Sequence, residues 1–344
     1  MKAAVLVETN HPLEILDIEL PKLDVGQVLV QMEWSGICGK QIDEILARRG
    51  PDPYLPHLLG HEGTGIVRDV GPGVRKVKPG DKVVLHWMKG SGIDAAPAKV
   101  RSRDGRVINA GCVTTFGTHT VVVENRITKI GPDTPGDVAA LLGCAVTTGL
   151  GIVFNNAHLK PGESIAVFGV GGVGLNVIQG AALVNAHPIV GIDLIDSKLD
   201  WARSFGATHT VNSGKQDAAA TLKEMTGGKG FDVTVDTTGN RQVRELAYDV
   251  ASPKGRIIYA GVPGVHDKIT IDSFPIHFGR QLIGSHGGET APDQDIPRYL
   301  GLYQRKQLSL DNLITHRFPL EKINEAIDAV RTGTAGRCLV KLAA

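Results

Sequence analysis

A glycine-rich turn limits the fold of this 344-residue chain more than any other feature. Ser164 to Phe168 is a short β-rich run, and the sequence Gly169-Val-Gly171-Gly172-Val173-Gly174 follows it and opens a helical stretch that reaches Leu183. In a dinucleotide-binding fold, such glycines allow a tight turn, close approach of the backbone to the pyrophosphate and close packing of helix on strand. The pattern therefore predicts a parallel, doubly wound α/β sheet that binds a dinucleotide.

Asp193 indicates which dinucleotide the predicted site accepts. It ends the next strand, about 20 residues beyond the glycines, where a carboxylate can accept hydrogen bonds from both ribose hydroxyls. The same charge would repel a 2′-phosphate, so we expect NAD rather than NADP. The residues predicted to bind NAD from this pattern are Gly169, Gly171, Gly172, Val173, Gly174 and Asp193.

The chain changes character on both sides of the nucleotide pattern. The first ~145 residues contain short strands separated by glycine and proline turns, which is typical of a small β-rich domain. From about residue 292 onward there are two helical patterns and a final strand at 338–342, and we expect this tail to return to the first domain. The predicted domains are a catalytic domain of residues 1–147 and 288–344 and a nucleotide-binding domain of residues 148–287.

Composition argues against several classes of function. The chain has 37 basic and 36 acidic side chains and a net charge of +1, which is not the electrostatic footprint of a protein that binds nucleic acid or anionic membranes. No run of about 18 apolar residues occurs, so we expect no membrane span. Only four cysteines are present and the N-terminus lacks the pattern of a signal peptide, which favours a reducing compartment and a cytoplasmic protein.

Three separated residues carry the ligand types that zinc prefers. Cys38 lies just past a predicted strand, His61 precedes Glu62 between a turn and a strand, and Cys144 lies at the entrance to the nucleotide domain. Two thiolates and one imidazole suit a tetrahedral zinc ion and leave a fourth position open for water or substrate. Spacing this wide has no metal signature of its own, so these residues alone are about equally compatible with a buried cysteine or a hydrogen-bonded histidine that holds no metal.

Four segments in this order resemble the zinc-dependent medium-chain alcohol dehydrogenase family: GICGK (36–40), GHEGTG (60–65), LLGCAVTTGLG (141–151) and VFGVGGVG (167–174). The similarity extends over essentially the whole chain. It implies a GroES-like, β-rich catalytic domain, a Rossmann domain and a zinc ion held by Cys38, His61 and Cys144, with Glu62 beside the metal. It also implies a homodimer or homotetramer that assembles through the edges of the nucleotide domain.

The same resemblance assigns residues to the cofactor and the substrate. It places Thr148 near the nicotinamide, Lys198 near the adenosine ribose and Arg337 near the pyrophosphate. Trp87 falls where the family often has a bulky wall of the substrate pocket, and an ordinary core position in the β-rich domain is an equal alternative.

One departure from the family concerns a second metal. Many members hold a structural zinc on a lobe with four closely spaced cysteines, and the corresponding stretch here, Met88 to Gly111, contains none. We therefore expect one catalytic zinc ion per chain and no structural zinc. Cys112 and Cys338, near or within predicted strands, are expected to be buried packing residues.

A second departure concerns the proton of the substrate. Family members usually have serine or threonine two residues after the first cysteine ligand, followed by aspartate, whereas this chain has Lys40 and Gln41. Repulsion by the metal and partial desolvation would favour a neutral amine at Lys40, which could act as a general base. Alternatively, its ammonium group could bind a carboxylate or phosphate of the substrate, or extend into solvent. Asp43 could continue a proton path.

Together these features predict an NAD-dependent zinc alcohol dehydrogenase that acts on a secondary, polar or anionic alcohol or on the matching carbonyl compound. Zinc would polarise the substrate oxygen as a Lewis acid. Three alternatives remain: a zinc- and NAD-using enzyme that performs an oxidation–elimination, a zinc-independent enone or quinone reductase, and a non-enzymatic protein with a vestigial metal site. Metal analysis separates the last two from the main prediction, and product analysis with NAD separates the first.

Overall fold

The computed structural model describes residues 1–48, 50–333 and 335–342, so the last two residues of the predicted catalytic domain lie outside the described range. The chain divides into two compact units, Met1–Cys144 with Ala291–Ala344 and Ala145–Thr290. The strands are β1 (Lys2–Leu6), β2 (Glu14–Glu19), β3 (Gln27–Ile37), β4 (His57–Leu58), β5 (Gly63–Val70), β6 (Lys82–Leu85), β7 (Val100–Ser102), β8 (Val107–Ile108), β9 (His119–Val123), β10 (Ile127–Lys129), β11 (Ile165–Phe168), β12 (Ile189–Asp193), β13 (His209–Asn212), β14 (Phe231–Asp236), β15 (Ala251–Tyr259), β16 (Gln281–Gly284), β17 (Ile314–Pro319) and β18 (Arg337–Lys341). The α-helices are α1 (Gly39–Ile45), α2 (Gly136–Ala140), α3 (Ala145–Gly151), α4 (Gly172–Leu183), α5 (Asp196–Ser204), α6 (Ala218–Met225), α7 (Arg241–Asp249), α8 (Phe274–His277), α9 (Pro292–Gln304) and α10 (Ile323–Arg331).

The first unit is built around the long strand β3. Val28, Val30 and Met32 are fully buried and alternate with partly exposed residues, as expected of a strand with one face on a core. β5 pairs antiparallel along one edge of β3, while β9 and then β18 pair antiparallel along the other. A second, smaller antiparallel sheet has the order β4-β1-β2-β7-β8. This unit therefore has the β-rich architecture that the turn pattern predicts.

The register of the β3 sheet determines which residues meet at its end. β18 pairs Cys338 with Ile37, and β5 pairs Gly63 with Ser35. These pairs lie at the last residues of β3. The segment that follows β3 and the segments that precede β5 and β18 therefore meet at the same end of the sheet.

The second unit contains a six-stranded parallel sheet of order β13-β12-β11-β14-β15-β16. All four residues of β11 are buried, which is typical of a parallel sheet covered on both faces. Helices α4 to α7 connect successive strands, so the predicted doubly wound fold is confirmed. α4 begins at Gly172, one residue before the start that the sequence pattern indicates.

Local predictions fail where the burial pattern is irregular. The sequence does not predict β17, whose residues after Ile314 are all partly or fully exposed and which ends in Pro319, so no alternation of apolar and polar residues marks it. Cys338 is fully buried in β18, as predicted, but Cys112 is only half-buried and lies in a bend between β8 and β9.

Among the described residues, no single helix is both long and apolar enough to cross a bilayer. One bent pair of helices, Gly136–Gly143 with Ala145–Asn156, satisfies the length and composition criteria, which buried core helices also satisfy.

Candidate metal centre and dinucleotide site

Four side chains with metal-binding atoms converge in the first unit. The ligand atoms of Cys38, His61, Glu62 and Cys144 all lie within 4.8 Å of one another, and we call these four residues the metal cluster. His61 Nε2 lies 3.3 Å from Cys38 Sγ. The structure thus brings together the two cysteines and the histidine that the sequence could not connect by spacing.

Cys38 joins the cluster because it ends β3 and starts a helix. It is the N-cap residue of α1, with extended backbone angles, and its Sγ accepts a hydrogen bond from the backbone N–H of Lys40 at 3.3 Å. An N-terminal helix position stabilises negative charge, so it favours the thiolate form that binds metals.

Cys144 reaches the cluster through an unusually close backbone approach. The turn Leu141–Gly143 packs against the chain near Glu62, where a Cβ on Gly143 would lie 2.4 Å from the carbonyl oxygen of Leu85 and 2.7 Å from Glu62 Cβ. Any side chain at this position would push the turn away. Gly143 therefore allows the next residue, Cys144, to present its sulfur to the cluster.

The two thiols and the imidazole of the cluster have shifted pKa values. A hydrogen bond from Cys144 lowers the pKa of Cys38 well below its usual range. The same hydrogen bond, together with burial, raises the pKa of Cys144. Burial opposes protonation of His61, but the neighbouring Cys38 thiolate raises the pKa of its imidazole above the usual value. A cation between these groups would replace the shared protons.

Glu62 and Arg337 form a buried ion pair at the edge of the cluster. Burial raises the pKa of Glu62, although the guanidinium group of Arg337 opposes that shift. Glu62 Oε2 and Arg337 Nε are buried and have no hydrogen-bond partner among the described residues. An unpartnered carboxylate oxygen beside two sulfurs and an imidazole fits a site for a cation.

The donor set of the cluster suits zinc. Thiolate sulfur and imidazole nitrogen are ligands of borderline-soft ions such as Zn²⁺, whereas Ca²⁺ and Mg²⁺ prefer oxygen ligands. The chemistry of the residues present therefore agrees with the metal that the family resemblance implies.

The other predicted catalytic side chains of this unit have local partners. Lys40 Nζ lies 3.4 Å from Glu44 Oε1, and its side chain is 36% exposed. Asp43 accepts a hydrogen bond from Arg48 at 3.1 Å. Trp87 is half-buried, directly beyond β6. The catalytic roles of Lys40 and Asp43 and the substrate contact of Trp87 stay predictions.

Sequence reasoning missed the position of Gln41. Its side chain is 1% exposed and contacts both the backbone of Cys38 and the ring of His61. The available signal was the capping pattern: a helix N-cap residue followed three positions later by glutamine is a capping box, here with cysteine in place of serine or threonine.

The glycine-rich turn of the second unit has the geometry of a phosphate cradle. Gly169 has a φ of +82°, and a Cβ on Gly174 would lie 2.0 Å from the carbonyl oxygen of Gly169, so the turn and the helix could not approach as closely with other residues. Gly171 is the N-cap residue of α4, where an added Cβ would meet no atom within 4 Å. Gly172 and Val173 form the first helical positions.

Asp193 lies at the carboxyl end of β12, directly beside this turn. One of its carboxylate oxygens accepts a hydrogen bond from the backbone N–H of Val170 at 2.9 Å, and the other accepts from Leu194 at 2.8 Å. In the same unit, Thr148 is buried in α3 and Lys198 is half-buried in the first turn of α5. The nucleotide contacts of these residues stay predictions.

Comparison with known proteins decides the family. Residues 24–132 match the family described as "Alcohol dehydrogenase GroES-like domain", and residues 172–305 match "Zinc-binding dehydrogenase". The class-3 alcohol dehydrogenase of Cereibacter sphaeroides is 36% identical over 374 residues, which cover 98% of this chain and 99% of that protein. The chain belongs to the zinc-dependent medium-chain alcohol dehydrogenase family.

Other members of the zinc-dependent medium-chain alcohol dehydrogenase family resemble the chain over its whole length. The S-(hydroxymethyl)glutathione dehydrogenase of Paracoccus denitrificans is 32% identical, with 98% of this chain and 99% of that protein covered. Among solved structures, an alcohol dehydrogenase zinc-binding domain protein from Burkholderia ambifaria aligns with a TM-score of 0.91 at 27% identity, covering 100% of this chain and 99% of that one. The benzyl alcohol dehydrogenase of Acinetobacter calcoaceticus aligns with a TM-score of 0.88 at 27% identity over 99% of each chain. The predicted family, fold class and zinc oxidoreductase class are therefore confirmed.

Proposed function

We propose that this zinc oxidoreductase transfers a hydride between NAD(H) and a secondary, polar or anionic alcohol or the matching carbonyl compound. The convergence of Cys38, His61 and Cys144 in the metal cluster is the observation that carries the proposal, because three N/S ligands leave one position for substrate. In this proposal, residues 1–147 and 288–344 supply the catalytic domain and residues 148–287 the nucleotide domain.

Cys38, His61 and Cys144 would hold a single zinc ion, and Glu62 would remain beside it, held by Arg337. A bound zinc ion supplies Lewis-acid polarisation of the substrate oxygen. We propose no second, structural zinc, because residues 88–111 contain no cysteine. Glu62 and Arg337 form a buried ion pair, so a negative and a positive charge lie next to the cluster and are shielded from solvent.

NAD would bind along the carboxyl ends of the parallel strands of the second unit. Gly169 to Gly174 would accommodate the pyrophosphate at the N-terminus of α4, and Asp193 would accept from the ribose hydroxyls. Hydrogen bonds from the turn already fix the Asp193 carboxylate, which favours NAD over a 2′-phosphorylated cofactor. We also propose the NAD contacts that the family resemblance implies for Thr148, Lys198 and Arg337. NAD supplies the hydride chemistry.

The position of Lys40 supports a polar or anionic substrate. Its backbone N–H contacts Cys38 Sγ, so the residue lies at the cluster, and its ammonium group pairs with Glu44 at 3.4 Å. In the anion-binding alternative, the anionic group of the substrate would replace Glu44 as the partner of this ammonium group. Some relatives named S-(hydroxymethyl)glutathione dehydrogenase also act, by their name, on a polar hydroxymethyl compound.

The edge of the second unit supports the proposed homodimer or homotetramer. β16 is the last strand of the six-stranded sheet, and apolar side chains of the adjoining segment are exposed, among them Phe274 at 68% and Phe278 at 58%. Exposed apolar groups beside a sheet edge favour association with a second copy. If light scattering gives the molecular mass of a single chain, that result would contradict this assembly. We place the enzyme in the cytoplasm because only four cysteines occur along the chain.

The test is a screen for NADH formation with zinc-loaded protein. The panel contains neutral and anionic secondary alcohols, benzyl alcohol and S-(hydroxymethyl)glutathione, and the products are identified. The expected result is oxidation of a polar secondary alcohol to its carbonyl compound with NAD. No NAD-dependent oxidation in the panel, or an elimination product, would contradict the proposal.

Lys40→Met separates the two roles of Lys40 in the same screen. An anion-binding role predicts a higher KM for anionic alcohols with little change for neutral ones, whereas a general base predicts a lower kcat for both. Lys322→Met is a matched control, since Lys322 also pairs with a carboxylate on its own helix or turn, Glu325 at 3.3 Å.

A further inference from the structure

Gln41 connects the two ligands of the metal cluster that come from different parts of the chain. Its Oε1 accepts a hydrogen bond from the backbone N–H of Cys38 at 3.1 Å, and its Nε2 lies 2.6 Å from His61 Nδ1. The side chain is 1% exposed, so water does not compete for these contacts. This one amide therefore fixes both the backbone that presents Cys38 and the plane of the His61 ring.

The orientation of His61 directs its other nitrogen toward the cluster. His61 Nε2 lies 3.3 Å from Cys38 Sγ, while Nδ1 faces Gln41. The ring nitrogen that does not bind a metal is normally held by a hydrogen bond that fixes the tautomer and the ring orientation. Gln41 occupies that position in this chain.

The amide of Gln41 has one acceptor for two donors. When Nε2 of a neutral imidazole binds a metal, the ring proton lies on Nδ1, so His61 Nδ1–H becomes a donor like the backbone N–H of Cys38. The amide has a single oxygen, and its NH₂ group cannot accept. Whichever way the amide is turned, one of the two donors faces the NH₂ group, whereas a carboxylate of the same length would offer an oxygen to each.

We propose that Gln41 is a positioning residue that orients His61 toward the zinc ion, and that its single amide oxygen limits how tightly the site holds the metal. The inference rests on the proposed function, because it requires zinc at His61. It predicts an order of zinc retention in which Gln41→Glu holds the ion more tightly than wild type and Gln41→Leu holds it less tightly.

The experiment measures zinc release from the full-length protein to a chromogenic chelator, without any assay of turnover. Loss of a hydrogen bond to a metal-ligating histidine costs roughly 10–100-fold in metal affinity. We therefore expect Gln41→Leu to release zinc about 10–100-fold faster than wild type and Gln41→Glu to release it more slowly. Cobalt-substituted protein gives a second readout, because a rotated imidazole changes the visible ligand-field bands in Gln41→Leu and not in Gln41→Glu.

Gln27→Leu is the matched control for a purely structural effect. Gln27 is also buried, at 3% exposure, and also bridges two segments: it accepts from the backbone N–H of Asp24 at 2.9 Å and donates to the carbonyl oxygen of Ala96 at 3.1 Å. It does not belong to the metal cluster. Gln27→Leu should lower thermal stability as much as Gln41→Leu does, yet leave zinc release and the cobalt spectrum unchanged.

The outcomes separate this inference from the proposed function. If Gln41→Leu releases zinc at the wild-type rate, or if Gln41→Glu releases it faster than wild type, the inference is overturned while the zinc site stands. If zinc-loaded wild type retains no zinc, or if Cys38→Ser retains it as tightly as wild type, both the metal assignment and the inference fail.

Discussion

Two regions of the first unit hold irregular segments together in opposite ways. The metal cluster gathers two sulfurs, an imidazole and a carboxylate whose Oε2 atom has no partner among the described residues. The second region includes part of residues 88–111, where the family resemblance implies a structural zinc in many members, and it is held by two carboxylates, Glu124 and Asp293. We use the name carboxylate knot for these two carboxylates together with the groups that donate hydrogen bonds to them.

Glu124 satisfies both of its oxygens with backbone donors. Oε1 accepts from the N–H groups of Arg75 at 2.7 Å and Lys76 at 2.8 Å, and Oε2 accepts from Ile93 at 2.8 Å. Burial alone would raise the pKa of Glu124, but these backbone hydrogen bonds lower it below its usual value. The carboxylate thus joins two loops through hydrogen bonds to their backbone N–H groups.

Asp293 completes the knot from a distant part of the chain. It accepts from the backbone N–H of Ser91 at 2.6 Å and pairs with Lys76 Nζ at 2.5 Å, which hold its pKa at about 2 although burial opposes that shift. The carboxylates of the knot are thus satisfied by protein donors, whereas Glu62 Oε2 in the metal cluster has no hydrogen-bond partner among the described residues. The two regions should therefore respond differently to the same perturbations.

Removal of zinc should produce the largest difference between the regions. A Lewis-acid metal is worth several kcal/mol of transition-state stabilisation, so we expect chelation to reduce turnover by roughly a thousandfold or more. The proposed function has one zinc ion per chain, and the knot is held by hydrogen bonds and an ion pair. Limited proteolysis within residues 88–111 should therefore remain as slow in the metal-free protein as in the loaded one. Metal analysis of the loaded protein should give one zinc per chain.

The control for metal removal is re-addition of zinc, which should restore turnover. Rapid cleavage within residues 88–111 after chelation, or two zinc ions per chain, would contradict the distinction between the regions.

Glu124→Leu should produce the next largest effect, which we expect on the stability of the protein and not on its zinc content. Three backbone hydrogen bonds would be lost, at about 0.5–1.5 kcal/mol each, so we expect the free energy of unfolding to fall by roughly 2–4 kcal/mol. Chemical denaturation measures the loss, and zinc content of the folded fraction should not change. Glu124→Gln keeps one acceptor oxygen and should lose less.

A loss below about 1 kcal/mol in Glu124→Leu would show that the knot does not hold the region. Loss of zinc from the folded variant would show instead that the two regions are not independent.

The sequence predicts those parts of the sites whose residues are close along the chain. The glycine-rich turn and Asp193 occupy one strand–helix–strand unit, so spacing alone predicts their arrangement, and the structure places Asp193 within hydrogen-bonding distance of the turn. The metal cluster required the family resemblance, because 106 positions separate Cys38 from Cys144. Their meeting depends on the register of β3, β5 and β18 and on the close approach at Gly143.

Neither spacing nor resemblance predicts the residues that support these sites. Asp293 and Ser91 are 202 positions apart, and acidic residues at such positions are most often solvated surface groups. The capping pattern indicates the contact of Gln41 with Cys38, but its contact with His61 depends on the packing of α1 against the chain before β5. Supporting polar contacts of this kind follow from tertiary structure, which leaves no periodic signal in the sequence.

The smallest predicted effect concerns the acid sensitivity of the knot. His86 is buried next to it: Nδ1 donates to the carbonyl oxygen of Met88 at 2.8 Å, and Nε2 lies 3.0 Å from Thr128 Oγ1, which donates to Asp293. Burial lowers the pKa of His86 from 6.5 to about 4. The charge of Lys76 contributes to this lowering, whereas the hydrogen bond to Met88 and the charge of Asp293 oppose it.

The sign of the effect follows from the lowered pKa. The unfolded chain takes up the proton near pH 6.5 and the folded chain only near pH 4, so the stability linked to His86 is complete above pH 6.5 and is lost as pH falls between these values. At 1.36 kcal/mol per pH unit, the loss is at most about 3 kcal/mol. His86→Asn should therefore show a shallower loss of stability than wild type between pH 6.5 and 4, measured by chemical denaturation of the metal-free proteins.

The difference between wild type and His86→Asn isolates the histidine, because both proteins share the titrating groups of the metal cluster. His11→Asn, at an exposed position, is the control for the histidine-to-asparagine substitution itself. If His86→Asn loses stability with the same slope as wild type, the acid sensitivity of this unit comes from groups other than His86. The knot, whose Asp293 has a pKa of about 2, would then be the part of the unit that resists acid.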